Sequence, residues 1–556
     1  MSAVSEAFER IVTSAEQNLT VIAPPGCGKT EVLAHRAEHL IAGLRPGQRI
    51  MALTFSNKAK SNLEARLLKV LGTERKRRYV AVHNFHGHAA ELLQSHGRTL
   101  GLSTDLWTLG KNTQRDATTP YLEGLEENAA HEMRSRIEDE LRAAKQGPHD
   151  DVKVLARLTL AGADDRTVAI EKDRQRDGVL FYEDLLRHAQ RLQRVPEIAR
   201  LYRTHYGAVL VDEFQDLSPQ LLDLALRTCD TSRSFVGDPL QGIYTWSGAR
   251  PAHVERVVRR IGGEPHGLGV SHRSSPRVLD LVAAVAQPLG GVALQSHEPE
   301  RWFESGITAF TELASGPEEA AFIEQTCAQI LAQQPGATLG VICRNGWRRK
   351  PIDTHFATAT TPCTRWDLAV DDVRVIELIE DHNKRLGGAP SVDALRNELL
   401  TSIDPADVDT RADVLDALDQ LADLAQKAGS IGAALTQVLV KDHTAEAIAP
   451  GVHLLNGHTG KGQQFDWVFI PGFEQGNVPS FLATTKAALE EEQRVLLVML
   501  SRARHGVVVT RAKSLLSKKG WPYSPRVSPW EQGVRVAIVA DRAALAAHLD
   551  RLPSAI

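Results

Sequence analysis

The chain lacks several features that would place a protein quickly in a class. Only five of its 556 residues are cysteines, and no two of them form a Cys-X-X-Cys pair, which argues against a disulfide framework, a zinc ribbon or an iron–sulfur cluster. No apolar run reaches membrane-spanning length, and the polar N-terminal segment lacks the basic and apolar regions of a signal peptide. We therefore expect a cytoplasmic protein without a membrane partner.

Neither sign of charge dominates the chain. Its 65 basic and 69 acidic side chains give a net charge of −4, so any contact with nucleic acid would need a local groove rather than a generally basic surface. Aromatic residues are scarce as well, at 5% of the chain. A length of 556 residues exceeds one ordinary domain and predicts three or four folding units.

The first segment with a chemical signature lies near the N-terminus. A β-branched run at 20–22 is typical of a buried strand, a glycine-rich turn follows it, and apolar residues at helical spacing continue from Lys29 to Ile41. A phosphate-binding loop requires this order of strand, turn and helix. The predicted nucleotide-binding residues of the loop are Ala23, Pro24, Pro25, Gly26, Cys27, Gly28, Lys29 and Thr30.

Each residue type in this loop suits one part of a bound triphosphate. Main-chain N–H groups around Gly26 and Gly28 would surround the phosphates at the helix N-terminus. Lys29 would neutralise the β- and γ-phosphates, and the Thr30 hydroxyl would hold Mg²⁺. The strict pattern has glycine where Ala23 stands. The loop therefore predicts ATP or a related nucleotide, together with Mg²⁺, as the cofactors.

A second apolar run, at 208–211, ends in two acidic residues. Asp212, at the carboxyl end of the predicted strand, suits a Mg²⁺ ligand, and Glu213 beside it suits a base that orients an attacking water. Acidic residues after a strand often form only a solvated turn. Following a phosphate loop in this order, they instead predict a site that hydrolyses a nucleoside triphosphate.

Seven segments beyond the phosphate loop, in the same order along the chain, resemble motifs of the UvrD/Rep/PcrA-like helicases of superfamily 1. They are residues 52–59 (ALTFSNKA), 84–87 (NFHG), 212–216 (DEFQD), 236–249 (VGDPLQGIYTWSGA), 271–274 (SHRS), 458–465 (HTGKGQQF) and 490–504 (EEEQRVLLVMLSRAR). Each segment alone is a weak match. Their common order makes the resemblance specific.

The resemblance implies roles that spacing alone does not reveal. Gln241 would sense the γ-phosphate, Gly462 and Gln464 would contact the nucleotide, and Arg273 and Arg502 would reach it from a second lobe as arginine fingers. Surface ion pairs are the simpler alternative for the two arginines. The predicted catalytic residues are Lys29, Asp212, Glu213, Gln241, Arg273 and Arg502, with Thr30 and Asp212 as the metal ligands.

Contact with a single strand requires rings that stack on bases and polar groups that hold phosphates. The predicted DNA-binding residues, all inside the matched motifs, are Phe55, Asn57, Lys58, Phe85, His86, Tyr244, Trp246 and His458. For each aromatic residue a place in the core is the alternative. Motif position favours stacking most strongly for Tyr244 and Trp246.

Departures from the family pattern concentrate around the nucleotide base. Phe8 stands near the position of a glutamine that reads adenine, Glu31 stands where arginine is common, and His272 replaces a stacking tyrosine. Gln464 likewise replaces a glutamate that would contact the ribose. The phosphate chemistry is therefore expected to be intact, whereas a strict preference for ATP is not predicted.

Alternating strands and helices predict an α/β fold. It would consist of two lobes with parallel sheets, which the resemblance identifies as RecA-like P-loop motor lobes, each carrying a mainly helical insertion. The predicted units are 1–104 and 181–262 for the first lobe, 105–180 for its insertion, 263–372 and 451–556 for the second lobe, and 373–450 for a reduced second insertion.

The leading functional hypothesis is an ATP-dependent translocase that moves 3′ to 5′ on single-stranded DNA and unwinds duplex DNA as the two lobes close on ATP. Its polarity follows from the resemblance alone, and its predicted partner is single-stranded or tailed duplex DNA. The alternative is an accessory helicase-like ATPase, or a nucleic-acid sensor subunit, with little unwinding of its own. It would serve a nuclease-containing defence or recombination complex, so DNA repair and antiviral defence are the predicted contexts, and a protein partner stays open.

Two further clusters have simpler explanations. His83, His86 and His88 are closely spaced, but no cysteine or carboxylate cluster accompanies them, so a metal site is not predicted. The basic run at 75–78 is more typical of a solvated segment than of a DNA clamp.

Overall fold

The computed structural model describes most of the chain. The described residues are 3–102, 117–244, 248–365, 373–387, 390–403, 429–437, 448–457, 462–517 and 521–554, with single positions between 411 and 425. Elements are labelled below in chain order within these residues.

The first part of the chain alternates strands and helices. Its elements are α1 Ala3–Thr13, β1 Asn18–Ile22, α2 Lys29–Ile41, β2 Arg49–Thr54, α3 Asn57–Tyr79, β3 Val80–Asn84 and α4 Phe85–His96. Side-chain oxygens cap two of these helices, because Ser56 accepts the Ala59 N–H at the start of α3 and Asn84 accepts the Gly87 N–H at the start of α4. Ser56 lies two residues after β2 and Asn84 is the last residue of β3, so the caps fix the point where each motif segment turns into a helix.

A helical segment follows. Its described helices are α5 Glu127–Ala144, α6 Asp151–Leu160 and α7 Asp165–Asp177. Apolar side chains from all three helices, including Ile137, Leu141, Val154 and Ile170, are buried together in a small core of their own. This segment therefore packs as a helical unit inserted into the first lobe.

The chain then returns to the first sheet. The returning elements are α8 Tyr182–Leu192, α9 Pro196–His205, β4 Tyr206–Val211, α10 Pro219–Thr228, β5 Arg233–Gly237, α11 Pro251–Gly262 and β6 His266–Gly267. The six strands are parallel and lie in the order β3–β2–β4–β5–β1–β6. Successive side chains of β2 are buried in the cores on opposite faces of the sheet. Ile50 and Ala52 lie in one core, and Met51 and Leu53 lie in the other.

The carboxyl ends of these strands share one edge of the sheet. The phosphate loop follows β1, and the predicted motif segments follow β2, β3, β4 and β5. Ligand sites in parallel sheets form at this edge. The topology thus brings together the phosphate loop before Lys29 and the segment after Gly237, which are far apart in the sequence.

The second lobe begins with a two-stranded ladder and continues into a larger sheet. Its first elements are β7 Val270–Ser271, α12 Pro276–Ala286, β8 Gln295–Ser296, β9 Ile307–Ser315, α13 Gly316–Gln333, β10 Thr338–Cys343, α14 Gly346–Phe356 and β11 Cys363–Arg365. The described helices that follow are α15 Val373–Arg385, α16 Val392–Ser402 and α17 Ile431–Gln437, which share a separate apolar core.

The last part of the chain completes the second sheet. Its elements are β12 Gly451–Asn456, β13 Phe465–Ile470, α18 Lys486–Leu500, β14 Ala503–Leu516, β15 Pro522–Tyr523, α19 Glu531–Arg535 and α20 Arg542–Asp550. The parallel order is β11–β12–β10–β13–β14–β9, with β15 antiparallel to the far end of β14.

The predicted fold class is confirmed: two α/β lobes have parallel sheets, and each carries a helical segment. The exact residue limits of the units stay predictions, and β6 extends the first sheet past residue 262. None of the helices in the described ranges is both long and apolar enough for a membrane span.

Candidate nucleotide and nucleic-acid cleft

The phosphate loop connects the carboxyl end of β1 to α2, which begins at Lys29. The Ala23 N–H donates to the Gly237 carbonyl at 2.9 Å, so the start of the loop is tied to β5. Gly26 and Gly28 have φ angles of 79° and 84°, left-handed values that favour glycine. The loop therefore turns directly into a helix N-terminus, the arrangement that binds phosphate.

A lysine and a glutamate from separate segments meet beside this loop. Lys29 Nζ lies 3.4 Å from Glu213 Oε2, and both side chains are mostly buried. Glu213 has a φ angle of 52°, which is rare for a residue with a side chain and persists where the surrounding structure enforces it. Gln215 Nε2 donates to the same Glu213 oxygen at 2.6 Å. Glu213 is thus held in a fixed position facing the phosphate loop.

Gln215 extends this hydrogen-bond chain to the segment after β5. Its Oε1 accepts the Asp238 N–H at 2.9 Å, and Asp238 Oδ2 accepts Gln241 Nε2 at 2.8 Å. All three side chains are buried. The predicted γ-phosphate sensor Gln241 is therefore joined to Glu213 through two intervening residues. We predicted no role for Gln215 from the sequence, although its place within the acidic motif was an available signal.

Asp212 is buried at the carboxyl end of β4. Burial and the neighbouring Glu213 carboxylate raise the pKa of Asp212 to about 7, against the opposing effect of Lys29. A divalent cation would stabilise this buried carboxylate, since Mg²⁺ prefers carboxylate, hydroxyl and phosphate oxygens. Thr30 lines the same cleft. The donor set of Thr30 and Asp212 therefore fits the Mg²⁺ ion that we expected from the sequence.

The second lobe contacts the phosphate loop directly. The His272 N–H donates to the Gly26 carbonyl at 2.9 Å. A Cβ atom built on Gly26 would lie only 2.7 Å from Arg273 Cβ, so this packing requires glycine at position 26. The two lobes therefore share the walls of a single nucleotide cleft.

Two arginines of the second lobe lie next to each other in this cleft. Burial and the neighbouring Arg502 lower the pKa of Arg273 to about 9, and burial lowers the pKa of Arg502 to about 10. Arg273 Nη1 donates to the Ser501 carbonyl at 3.4 Å, and Arg502 Nε donates to the Val498 carbonyl at 2.9 Å. Arg502 is buried and Arg273 is half-buried. Two such adjacent cations would gain from an anionic ligand, which is what a triphosphate provides.

The cleft has a volume of about 1610 Å³ and extends from the phosphate loop along both lobes. The predicted site residues that line it are Pro24, Gly26, Cys27, Gly28, Lys29, Thr30, Phe55, His86, Asp212, Glu213, Gln241, Tyr244, Arg273, Gly462, Gln464 and Arg502. The predicted residues Ala23, Pro25, Asn57 and Phe85 are not part of this lining. The side chain of Lys58 and all of Trp246 and His458 lie outside the described residues.

Two of the predicted stacking residues form a pair in the cleft wall. The rings of Phe55 and Tyr244 stack with centroids 5.4 Å apart and planes 17° apart. The Asn84 side-chain amide donates to Asn57 Oδ1, which connects the segments after β2 and β3. With His86 nearby in the lining, this wall offers both the aromatic and the polar groups that single-strand binding uses.

Phe85 requires a correction. Its side chain is fully buried in the core of the first lobe, packed among residues such as Leu53 and Phe214. A ring enclosed on all sides has no face for a base, so Phe85 supports the start of α4 and does not stack in this conformation. A motif position next to a strand end has the same sequence signature for either role, which is why the prediction went wrong here.

The base end of the cleft contains pairs that the sequence did not reveal. Glu31, one of the departures from the family pattern, forms an ion pair with Arg66 of α3, and both line the cleft. The His272 ring lies 4.2 Å from the His297 ring, and Arg301 lies over the ring of Trp302 at 4.4 Å. The pairs Glu31–Arg66 and His272–His297 join residues that are far apart in the sequence, so no single sequence segment indicated them.

The histidine cluster and the basic run lie apart from this lining, except for His86. His88 is fully buried, which lowers its pKa to about 3, and His83 pairs with Glu91 at 3.6 Å. Within the described ranges no three His, Cys, Asp or Glu side chains are grouped as a metal site. In the basic run, Arg75 pairs with Glu38 at 3.3 Å.

The fold and this cleft together define a class, the P-loop nucleotide hydrolases in which two α/β lobes share one site. Comparison with known families narrows that class. Residues 4–261 match the UvrD/REP helicase N-terminal domain, and residues 403–514 match the UvrD-like helicase C-terminal domain. The two matches cover about two thirds of the chain. The chain belongs to the UvrD-like helicase family, and the predicted enzyme class, a DNA helicase, is confirmed at that level.

The chain is similar to named helicases over different lengths. DNA helicase II of Rickettsia typhi is 23% identical over 92% of this chain and 93% of its own length. ATP-dependent DNA helicase UvrD2 of Mycobacterium tuberculosis is 27% identical over 89% of this chain and 76% of its own. DNA helicase II of Escherichia coli is 28% identical over 52% of this chain, which spans only 41% of that relative.

Proposed function

We propose that this chain is an ATP-dependent motor that moves 3′ to 5′ along single-stranded DNA and unwinds duplex DNA. The observation that carries the proposal is one continuous cleft, in which phosphate-handling residues of both lobes are joined to the stacked rings of Phe55 and Tyr244. Family membership supports DNA as the track. The direction of movement, the use of Mg²⁺ and a cytoplasmic location belong to the same proposal.

The proposed reaction is hydrolysis of the terminal phosphate. Water attacks the γ-phosphorus while the bond to the ADP oxygen breaks, which yields ADP and inorganic phosphate. Glu213 would orient the water and accept its proton. Lys29, together with Arg273 and Arg502 of the second lobe, would offset charge on the transferring phosphoryl group. When bound, Mg²⁺ supplies further neutralisation of the phosphate oxygens.

Movement would follow from closing and opening of the lobes around the nucleotide. Gln241 is bonded to Asp238 and lies three residues before Tyr244, so a shift of Gln241 on loss of the γ-phosphate would act on the ring that contacts the strand. In the second lobe, Arg273 is the residue after His272, whose N–H donates to the Gly26 carbonyl. Breaking this hydrogen bond as the lobes open would move Arg273 away from the phosphate. ATP hydrolysis would in this way be coupled to movement along the DNA.

An accessory role in a nuclease-containing complex, with little unwinding, was the alternative from the sequence. The relatives are named as DNA helicases, which does not favour it.

The proposal is tested by ATP turnover with and without an oligothymidylate, followed by unwinding of duplexes with a 3′ or a 5′ tail. We expect DNA to stimulate turnover several-fold and only 3′-tailed duplexes to be unwound. Lys29→Ala should abolish turnover under both conditions without altering the circular dichroism spectrum. A turnover rate that ignores DNA would contradict the motor, and unwinding from 5′ tails would overturn its direction.

A further inference from the structure

The cleft continues beyond the stacked rings into a region to which the proposed function assigns no role. Its lining there comes from the helical insertion and from helices of the first lobe that pack against it, namely Arg142, Gln146, Gly147, Glu183, Gln190 and Gln220. Apart from Arg142 and Glu183, these residues carry no ionisable side chain. The amides and the guanidinium, which lie beside the Glu183 carboxyl, suit a ligand that has both bases and phosphates.

We propose that Arg142, in the last turn of α5, binds a backbone phosphate of the single strand, so that the first helical insertion forms part of the DNA track. This inference rests on the proposed function, and it assigns to the insertion a contact that no motif of the chain contains.

The position of Arg142 beside the stacked rings is the first observation that supports this proposal. A Cβ atom built on Gly248 would lie 3.9 Å from Arg142 Cδ. The N–H of Ala249, the residue after Gly248, donates to the Tyr244 carbonyl at 3.3 Å. Arg142 therefore packs against Gly248, whose neighbour Ala249 is hydrogen-bonded to Tyr244. A strand whose base stacks on that ring would bring its phosphates within reach of the guanidinium.

The second observation is a rigid anchor one turn away. Lys145 is fully buried, and its Nζ lies 2.7 Å from an Asp184 oxygen of α8 and 3.1 Å from a Glu171 oxygen of α7. Its main-chain carbonyl accepts Gln220 Nε2 of α10 at 3.2 Å. Buried ion pairs with satisfied geometry fix the groups that make them. The end of α5 is thus held against the first lobe, and Arg142 is held over the groove.

The third observation concerns charge. Arg142 Nη1 pairs with Asp139 at 2.8 Å, but Asp139 is 70% exposed, and such surface pairs contribute little. Arg142 can therefore exchange this partner for a phosphate at small cost. Burial raises the pKa of the Glu183 carboxyl above its usual range, because the charged form is less favourable there than in water.

The test compares Arg142→Ala with Arg136→Ala. Arg136 lies on the same helix, pairs with Glu140 at 3.0 Å, and is not among the residues that line the cleft of the described chain. Affinity for a labelled oligothymidylate is measured by fluorescence anisotropy over a range of salt concentrations. For Arg142→Ala we expect binding about tenfold weaker and a plot of log affinity against log salt less steep by about 0.7, the value for one lost phosphate contact. Arg136→Ala should match the wild type in both quantities.

The salt slope separates a phosphate contact from a structural role, because a merely loosened insertion would weaken binding without removing a counterion. Arg142→Lys should keep the wild-type slope, and basal ATP turnover should be the same in all variants. If Arg142→Ala binds with wild-type affinity or keeps the wild-type slope, the inference is wrong and the motor proposal stands. If the wild type itself does not bind the oligonucleotide, both fail together.

Discussion

The two ends of the cleft are built in different ways. At the phosphate end, Lys29, Glu213, Gln215, Asp238 and Gln241 all follow strand ends of one sheet and are bonded to one another in a continuous chain. The other end of the cleft is the one that we assign to the DNA strand, and it is called the strand end below. Its wall combines a stacked ring pair with side chains of a helical insertion, which buried ion pairs hold against the first lobe.

The difference fits what each end has to do in the proposed function. Phosphoryl transfer requires charges fixed within a few tenths of an ångström, so its residues hold each other directly. A strand that must slide is held by several weak contacts, each of which can be broken in turn. Changes at the phosphate end should therefore stop turnover, whereas changes at the strand end should reduce affinity in steps.

The largest effect is expected from Arg273→Ala. Loss of an arginine that stabilises the transferring phosphoryl group lowers kcat by about 10³-fold or more, while the fold and DNA affinity should be retained. Steady-state turnover at saturating ATP measures it. Arg504→Ala is the matched control, because Arg504 lines the same cleft but is half-exposed and bonds to Gln464. Equal losses in the two variants would remove the distinction between a catalytic arginine and a wall residue.

Lys145→Met should destabilise the strand end. Removing the lysine leaves the buried carboxylates of Asp184 and Glu171 with one cation fewer. Breaking a buried ion pair in this way lowers the free energy of unfolding by on the order of 3–5 kcal/mol. Chemical denaturation followed by circular dichroism measures the loss, and Lys153→Met, at an exposed position of α6, should be neutral. A Lys145→Met protein as stable as the wild type would mean that the insertion is not anchored in this way.

The free energy of unfolding should also fall in acid, because α4, which carries His86 of the cleft lining, contains the fully buried His88. Burial lowers the pKa of His88 from 6.5 to about 3. The unfolded chain therefore binds a proton below pH 6.5 that the folded chain excludes, so the contribution to stability is complete above pH 6.5 and declines as the pH falls toward 3. The slope is at most about 1.4 kcal/mol per pH unit.

Thermal melting of the wild type and His88→Leu between pH 7.5 and pH 5 would measure this contribution. We expect a flatter pH dependence for the variant, and no such change for His39→Leu, at an exposed position of α2. Parallel curves for all three proteins would rule out the buried histidine as a source of acid sensitivity.

The smallest effect is expected from Tyr244→Ala. Stacking of one base on an aromatic ring contributes on the order of 1–3 kcal/mol, and the low end applies because Phe55 stays in place. Oligothymidylate affinity should fall about fivefold, while basal ATP turnover should be unchanged. A loss of basal turnover as large as the loss of affinity would place Tyr244 at the phosphate end instead.

The difference between the two ends of the cleft also explains how much of the fold and of the candidate site could be predicted from the sequence. The phosphate loop, the acidic pair after β4 and the fold class were all predictable, because each depends on neighbouring residues in one segment. Phe85 was misassigned because a ring after a strand end is equally suited to the core. Arg142 could not be found at all, since only the tertiary anchor at Lys145 brings it to the cleft.

The central claim is that the two ends form one coupled site, and reciprocal binding tests it most directly. Oligothymidylate affinity is measured with and without a non-hydrolysable ATP analogue, and affinity for the analogue is measured with and without the oligonucleotide. The account predicts that each ligand changes the affinity of the other, by the same factor in both directions. Affinities that are independent of the second ligand in both experiments would contradict it.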